Sequence, residues 1–176
     1  MVKSWGVLMI LCTCLCACSA RVAMPSEQPP APVAQPNPVI ALARQHLGWH
    51  ARRDRQRLRE YMRVGNAGLA VDPVRVAWCA AFVNSVLAEA GQQGTNSLAA
   101  RSFLAWGQAT DTPEPGDIVV LRRGGPAEGH VGFFLGLTGE GADQEVMVLG
   151  GNQDWTVSER AWPKRLVLGY RRAPTN

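Results

Sequence analysis

Hydrophobic and polar positions follow a helical period in the first part of the folded region. Residues 39–47 and 54–64 place apolar side chains three to four positions apart, and each stretch is bounded by a helix-capping or helix-ending residue. Residues 79–90 carry the longest apolar stripe and end before a glycine, a typical helix end. A serine cap predicts a fourth helix over residues 97–106. The chain therefore predicts four helices in succession.

The period changes after Pro113 and Pro115. The segments that follow are rich in β-branched and aromatic residues and are separated by turn-forming residues, which is typical of strands. They read DIVVL, HVGFFLGL, EVMVLGGN, TVSERAW and LVLGYRR. Because helices come first and strands second, the order predicts an α+β domain in which helices pack on one face of an antiparallel sheet.

The amino terminus has the pattern of an export signal. Residues 1–18 combine one lysine, a short apolar run and small residues, and the run is too short for a stable membrane span. The segment LCAC at 15–18 resembles the lipobox of bacterial lipoproteins, which predicts Cys18 as the lipidated residue. The alternative is an ordinary cleaved signal peptide. Ser19 follows the predicted anchor, and in this position it resembles lipoproteins sent to an outer membrane. The expected location is therefore the outer membrane, with the domain facing the periplasm.

Residues 19–38 have a composition unlike that of a folded core. They contain six prolines among small and polar residues, which favours extended conformers. At ~3.1 Å per residue such a tether reaches at most ~60 Å. The expected organisation is a signal segment at 1–18, a tether at 19–38 and one folded domain at 39–176.

Charge and cysteine content narrow the function further. The net charge of +4 is too small and too scattered to indicate a nucleic-acid partner. Four of the five cysteines, including Cys18, lie in the first eighteen residues, and only Cys79 belongs to the predicted domain. A lone thiol cannot form an internal disulfide, so Cys79 is either a packing residue or a reactive group.

Cys79 stands where a reactive thiol is expected. It begins the predicted helix 79–90, whose free N–H groups and dipole stabilise an anion by about 0.3–1 kcal/mol. It shares the apolar stripe of Phe82 and Val86, which directs the sulfur towards the sheet. Its backbone N–H, at the helix start, is a candidate donor to an oxyanion.

His130 and Asn152 are the candidate partners of Cys79. If HVGFFLGL and EVMVLGGN form a hairpin around the loop 139–143, paired residue numbers sum to 282 and His130 faces Asn152. An amide oxygen there would orient the imidazole that removes the thiol proton. A slip of one residue would remove that support, so the predicted Cys-His-Asn triad depends on the register.

The motifs together resemble the CHAP and NlpC-type cysteine hydrolases, a papain-like superfamily of peptidoglycan amidases and endopeptidases. The resemblance covers nearly all of residues 39–176 and rests on WCAAFVN, PGDIVVL, GHVGFFLG, VLGGNQ and LGYR, in that order. It implies a papain-like fold and attack by Cys79 on an amide carbonyl, with His130 as base, Asn152 as orienter and no cofactor. Many CHAP members have an acidic residue where this chain has Gly150, which leaves Gln153 or Asp154 as alternative orienters.

Two further pairs of residues are of the types found in binding sites. Trp78 and Trp155 are the aromatic residues expected in a substrate cleft. His46 and His50 have a zinc-like spacing but lack a nearby third ligand, so no metal site is predicted.

The expected partners are peptidoglycan and, through the lipid, a membrane. Two alternatives to hydrolysis stay open: a catalytically silent wall-binding lipoprotein, and a transglutaminase-like acyltransferase that uses the same triad.

Overall fold

The computed structural model describes Met1 and residues 37–174. The predicted signal segment apart from Met1, the predicted lipidation site Cys18 and most of the predicted tether lie outside the described residues. The chain divides into two units, and the fold below belongs to the second, Gln35–Asn176. Among the described residues, no helix has both the length and the apolar character needed to cross a membrane.

Three α-helices form where the apolar period predicts them: α1 at Pro38–Arg44, α2 at Arg55–Met62 and α3 at Cys79–Glu89. The fourth predicted helix is wrong as an α-helix. Residues Ala100–Ala105 form a short 3₁₀ segment instead, and only Ala100 and Phe103 in it are buried. The residues on either side of the segment, Ala99 and Trp106, are extended, and Ala99 has no side-chain oxygen to cap the first turn, so the segment does not continue into a longer helix.

Asn37 fixes the beginning of α1. Its side-chain oxygen accepts a hydrogen bond from the Val39 N–H at 3.1 Å, which satisfies a free donor of the first turn. Its Nδ2 donates to the Pro115 carbonyl at 3.0 Å. The cap therefore also joins the first helix to the segment that leads into the sheet.

Within residues 37–174, six antiparallel strands make one sheet, in the order β1-β6-β2-β3-β4-β5. Five match the predicted strand segments, and the three-residue β1 was not predicted. The strands are β1 (Gln108–Thr110), β2 (Ile118–Arg122), β3 (Gly129–Thr138), β4 (Glu145–Gln153), β5 (Thr156–Pro163) and β6 (Val167–Arg172). The α+β class expected from the sequence is confirmed.

The short connection between β5 and β6 shows that the sheet is curved. Three strands separate them in the sheet, which would place them about 19 Å apart if the sheet were flat. The chain from Pro163 to Val167 reaches at most about 14 Å. The sheet therefore curls, and its two faces enclose different cores.

The two faces of the sheet pack against different partners. The outer face carries Val131, Phe133 and Leu149, which belong to one core with α3. The inner face carries Phe134 and Val148, which pack with other inward-facing residues of the curved sheet. Side chains alternate along a strand, so neighbouring residues of β3 lie in different cores.

A buried polar network holds the segment around Ser97 against α3. Asn84 is fully buried, and its Nδ2 donates to Asn66 Oδ1 at 3.0 Å and to the Ser97 carbonyl at 3.1 Å. Its Oδ1 accepts from the Thr95 N–H at 2.8 Å. These bonds place the residues that follow Ser97 beside the amino end of α3.

Candidate active site

Cys79 lies at the bottom of an open cavity of about 460 Å³. It is the first residue of α3, only 2% exposed, and the only free cysteine among the described residues. The cavity wall is formed by residues 98–100, by the glycine-rich loop between β2 and β3, and by the end of β4. The lining residues are Ala77, Cys79, Leu98, Ala99, Ala100, Arg123, Gly124, Ala127, Glu128, Gly129 and Asn152.

Close contact between α3 and β4 sets the depth of Cys79. A Cβ on Gly151 would lie 2.5 Å from Trp78 Cζ3 and 2.8 Å from Phe82 Cβ, so this position has no room for a side chain. The second glycine of the GGN segment therefore lets the amino end of the helix rest on the strand.

The surroundings of Cys79 disfavour the thiolate in this state. Burial raises the pKa of the Cys79 thiol above its ordinary value, because a thiolate loses solvation there. The backbone N–H groups of Val131 and Ala80 and the positive charge of Arg123 act in the opposite direction without overcoming burial. The stabilisation of a thiolate by the helix start, expected from the sequence, is therefore smaller than the effect of burial in this state.

His130 points into the inner core. It is fully buried and stacks on Trp162, with ring centroids 5.0 Å apart and an interplanar angle of 23°. Neither ring nitrogen has a hydrogen-bond partner, so the structure makes no such bond to Cys79 or to Asn152. Burial lowers the pKa of His130 to about 3, and the positive charge of Arg123 adds to this effect. The ring is therefore neutral at pH 7.

The register near His130 agrees with the sequence expectation. Phe133 pairs with Leu149, so the residue numbers sum to 282 at this end of the hairpin. Nearer the turn, a bulge between Phe134 and Gly136 shifts the sum by one. The pairing therefore points His130 towards position 152, although the paired residues themselves end at Phe133.

An irregularity in β4 separates Asn152 from His130. The pairing with β5 shifts between Gly150 and Gln153, and Asn152 takes a left-handed φ of 60°. Asn152 lines the cavity with Cys79, whereas the side chain of Gln153 enters the inner core.

Gln153 occupies the position beside His130 that was expected for Asn152. Its Oε1 accepts from Trp162 Nε1 at 2.7 Å, and its Nε2 donates to the Ser158 carbonyl at 2.6 Å. The Gln153 carboxamide faces the imidazole and raises the pKa of His130, against the larger effect of burial, without completing a hydrogen bond. Cys79 and Asn152 thus share the cavity, and His130 and Gln153 share the inner core.

Arg123 and Glu128 line the same cavity and were not among the predicted site residues. Arg123 Nη1 donates to the Asn152 carbonyl at 3.1 Å. The Glu128 carboxylate accepts from the Gly125 N–H at 2.8 Å and closes the loop that carries it. Their position in a glycine-rich loop next to His130 was the available signal, since loops held by a rigid sheet commonly carry binding residues.

The two tryptophans expected in the cleft lie elsewhere. Trp78 is fully buried and packs against Phe82, so its indole belongs to the core. Trp155 is 42% exposed and lies under the Arg52 guanidinium, 5.2 Å from the ring centroid, and it does not line the cavity. Its φ of 65° is unusual for a bulky residue.

His46 and His50 do not form a joint site. His46 is buried among aromatic rings, and its Nε2 lies 3.7 Å from Glu89 Oε2. His50 Nδ1 accepts from the Arg52 N–H at 3.2 Å. Within residues 37–174, no group of three or more potential His, Cys, Asp or Glu ligands is present.

The described geometry places a buried thiol, a cation and an amide around one cavity, with the neutral imidazole of His130 on the opposite face of β3. Residues 71–152 match the family model of the CHAP domain. The CHAP-like segment runs through α3, β2 and β3 to Asn152 and so includes Cys79 and His130. CHAP domains are typically peptidoglycan hydrolases, either amidases or peptidases, which supports the general kind of activity expected from the sequence. A comparison with curated proteins finds no match for the chain.

Proposed function

We propose that this protein is a cysteine amidase or endopeptidase that hydrolyses amide bonds of bacterial peptidoglycan, with Cys79 as nucleophile. The observation that carries the proposal is the place of Cys79: at the first position of α3, beneath an open cavity, inside the CHAP-like segment. A residue kept only for packing does not need a cavity above its sulfur.

The proposed reaction begins when Cys79 transfers its proton and the sulfur attacks the amide carbonyl. The tetrahedral intermediate collapses, the C–N bond breaks, and the leaving amine takes the proton from the base. Water then attacks the thioester, which releases a carboxylic acid and restores the thiol. The backbone N–H of Cys79 is the first candidate donor to the oxyanion.

His130 is the proposed base. It is neutral at pH 7, and neither ring nitrogen is held by a hydrogen bond, so the unprotonated nitrogen is available to accept a proton. The next residue along the strand, Val131, presents its N–H to the Cys79 sulfur. Proton transfer requires hydrogen-bond contact, so the imidazole must leave Trp162 and turn towards the cavity when substrate binds.

The third position of the triad is reassigned in this proposal. Asn152, at the cavity wall, is placed to contact substrate, and Gln153 is placed to orient His130. Gln153 is the better-supported orienter because its carboxamide already faces the ring and is fixed by Trp162 and Ser158.

A catalytically silent wall-binding protein is the second candidate. One observation favours it: Cys79 and His130 are not hydrogen-bonded to each other, and burial raises the pKa of the Cys79 thiol and lowers that of His130, which disfavours a thiolate–imidazolium pair. The transglutaminase-like alternative differs only in the acceptor, because an amine would replace water in the second step.

We also propose that the protein is attached to the outer membrane by lipid on Cys18 and faces the periplasm, with residues 19–38 as a tether. The lipobox-like LCAC segment and the six prolines after it support this proposal. Metabolic labelling with a radioactive fatty acid tests it, since a Cys18→Ala variant should carry no label. Labelling that persists in this variant would contradict the assignment.

The function is tested by digesting purified peptidoglycan with the full chain and identifying soluble fragments by mass spectrometry. Wild-type protein should release fragments that Cys79→Ala and Cys79→Ser do not. Thermal melting of each variant checks that it is folded. Fragments from Cys79→Ala would contradict the thiol mechanism, and wall binding without fragments from the wild type would support the silent protein. Products with an added amine would identify the transferase.

A further inference from the structure

We propose that Arg123 is a specificity residue, which binds a substrate carboxylate next to the amide bond that is cut. This inference rests on the proposed function and names its substrate class: peptides with a free carboxylate near the reacting carbonyl, in preference to the same peptides with a carboxamide.

The first observation is position. Arg123 lines the cavity above Cys79 and lies directly after β2, at the entrance of the glycine-rich loop. Its hydrogen bond to the Asn152 carbonyl, 3.1 Å long, holds the guanidinium against the end of β4. A guanidinium has five N–H donors in a planar fork, so the other donors stay available to a ligand.

The second observation is charge. None of the described carboxylates forms an ion pair with Arg123. Other arginines of the domain do have such partners: Arg55 pairs with Asp72 and Arg160 pairs with Asp154. Glu128 is the only acidic residue among the described residues that line the cavity, and its carboxylate accepts a hydrogen bond from the Gly125 N–H. The cavity therefore presents a cation without a carboxylate partner.

The third observation is the reach of this cation. The charge of Arg123 acts on both Cys79, which packs against the outer face of β3, and His130, whose side chain leaves the inner face of β3. A carboxylate bound to Arg123 would therefore lie near the reacting atoms. It would also neutralise the charge that helps to keep His130 deprotonated, and so couple substrate binding to the base.

The chemistry of the match is specific. Carboxylate and guanidinium form two parallel charge-assisted hydrogen bonds, whereas a carboxamide has a similar shape without the charge. Lysine keeps the charge but lacks the fork. The preference for carboxylate over carboxamide should consequently be strong in the wild type. It should be weaker in Arg123→Lys and absent in Arg123→Gln.

The experiment uses soluble muropeptides whose carboxylates are either free or converted to carboxamides with carbodiimide and ammonia. The full chain should hydrolyse the free form with a kcat/KM higher by about tenfold or more. Arg123→Gln should lower kcat/KM for the free form to the level of the amidated form. Arg122→Gln removes the neighbouring exposed charge of β2 and is the matched control, which should keep the wild-type preference.

A binding measurement separates the two proposals. Calorimetry with the Cys79→Ala protein, with and without Arg123→Gln, measures affinity for both muropeptide forms without turnover. A preference for carboxylate that depends on Arg123, with no hydrolysis by the wild type, would keep this inference and overturn the hydrolase. Equal rates and equal affinities for both forms would overturn the inference and leave hydrolysis intact. Failure to bind either form would overturn the inference as well.

Discussion

The imidazole of His130 lies flat against the indole of Trp162, with ring centroids 5.0 Å apart, although the two residues belong to strands that are not neighbours in the sheet. The curvature of the sheet brings them together. Trp162 also donates a hydrogen bond to Gln153, so one indole fixes both the base and its proposed orienter.

Removal of this indole should change the titration of His130. Trp162→Ala opens the inner core to water, which reduces the desolvation that lowers the pKa of His130 to about 3. The pKa should rise towards the ordinary value of about 6.5. NMR titration of the ring protons measures it, and Trp155→Ala, at an exposed indole outside this core, is the control. An unchanged pKa in Trp162→Ala would show that the stack does not exclude water.

Stability should fall as the solution becomes mildly acidic. The pKa of His130 is about 3 in the folded protein and about 6.5 in the unfolded chain, so only the unfolded chain takes up this proton as pH falls below about 6.5. The free energy of unfolding should drop by about 2 kcal/mol from this residue between pH 7 and pH 5.

Urea unfolding at several pH values checks this expectation. His130→Leu removes the titrating group and should show a shallower dependence on pH, whatever its absolute stability. Burial also lowers the pKa of His46, so part of the decrease should persist in the variant. Identical slopes for the wild type and His130→Leu would contradict the buried neutral imidazole.

The Cys79 thiol should become reactive towards alkylating reagents only at high pH. Because burial raises the pKa of Cys79, alkylation by iodoacetamide in the absence of substrate should reach half its maximal rate above about pH 8.5. Arg123→Gln should move that midpoint higher, since the guanidinium favours the thiolate. The rate is measured by mass spectrometry of the Cys79 peptide. A plateau already present at pH 6 would mean that a thiolate exists before substrate binds.

The contact between α3 and β4 should tolerate no added methyl group. Gly151→Ala places a Cβ within 2.8 Å of Phe82 Cβ and closer still to Trp78, so it should cost about 1–3 kcal/mol. Gly136→Ala is the matched control, because nothing lies within 4 Å of its Cβ. Denaturant unfolding compares them. Equal stability of the two variants would mean that the helix start is free to move away from the strand.

Long apolar segments explain why most of the fold was predictable. The helix that begins at Cys79 and the strands that carry His130 and Asn152 have strong periods and clear turn residues at their ends. The short 3₁₀ segment and β1 lack such signals. The sequence therefore predicts a longer helix over residues 97–106 and does not predict β1. Loop residues such as Arg123 gave no periodic signal at all.

The pattern of apolar residues in β3 does not predict which face of the sheet His130 occupies. Val131 and Phe133 face one core, and Phe134 faces the other, so both sides of β3 are apolar. A strand of this kind does not indicate which side meets the helix. The change from Asn152 to Gln153 depends on one left-handed residue, which pairing rules for regular strands do not anticipate.

Asn37 joins two parts of the domain through one side chain. Its Oδ1 caps the first turn of α1, and its Nδ2 donates to the Pro115 carbonyl shortly before β2 begins. Replacement of Asn37 would therefore remove both hydrogen bonds together, so that α1 would lose its cap and its link to the segment that enters the sheet.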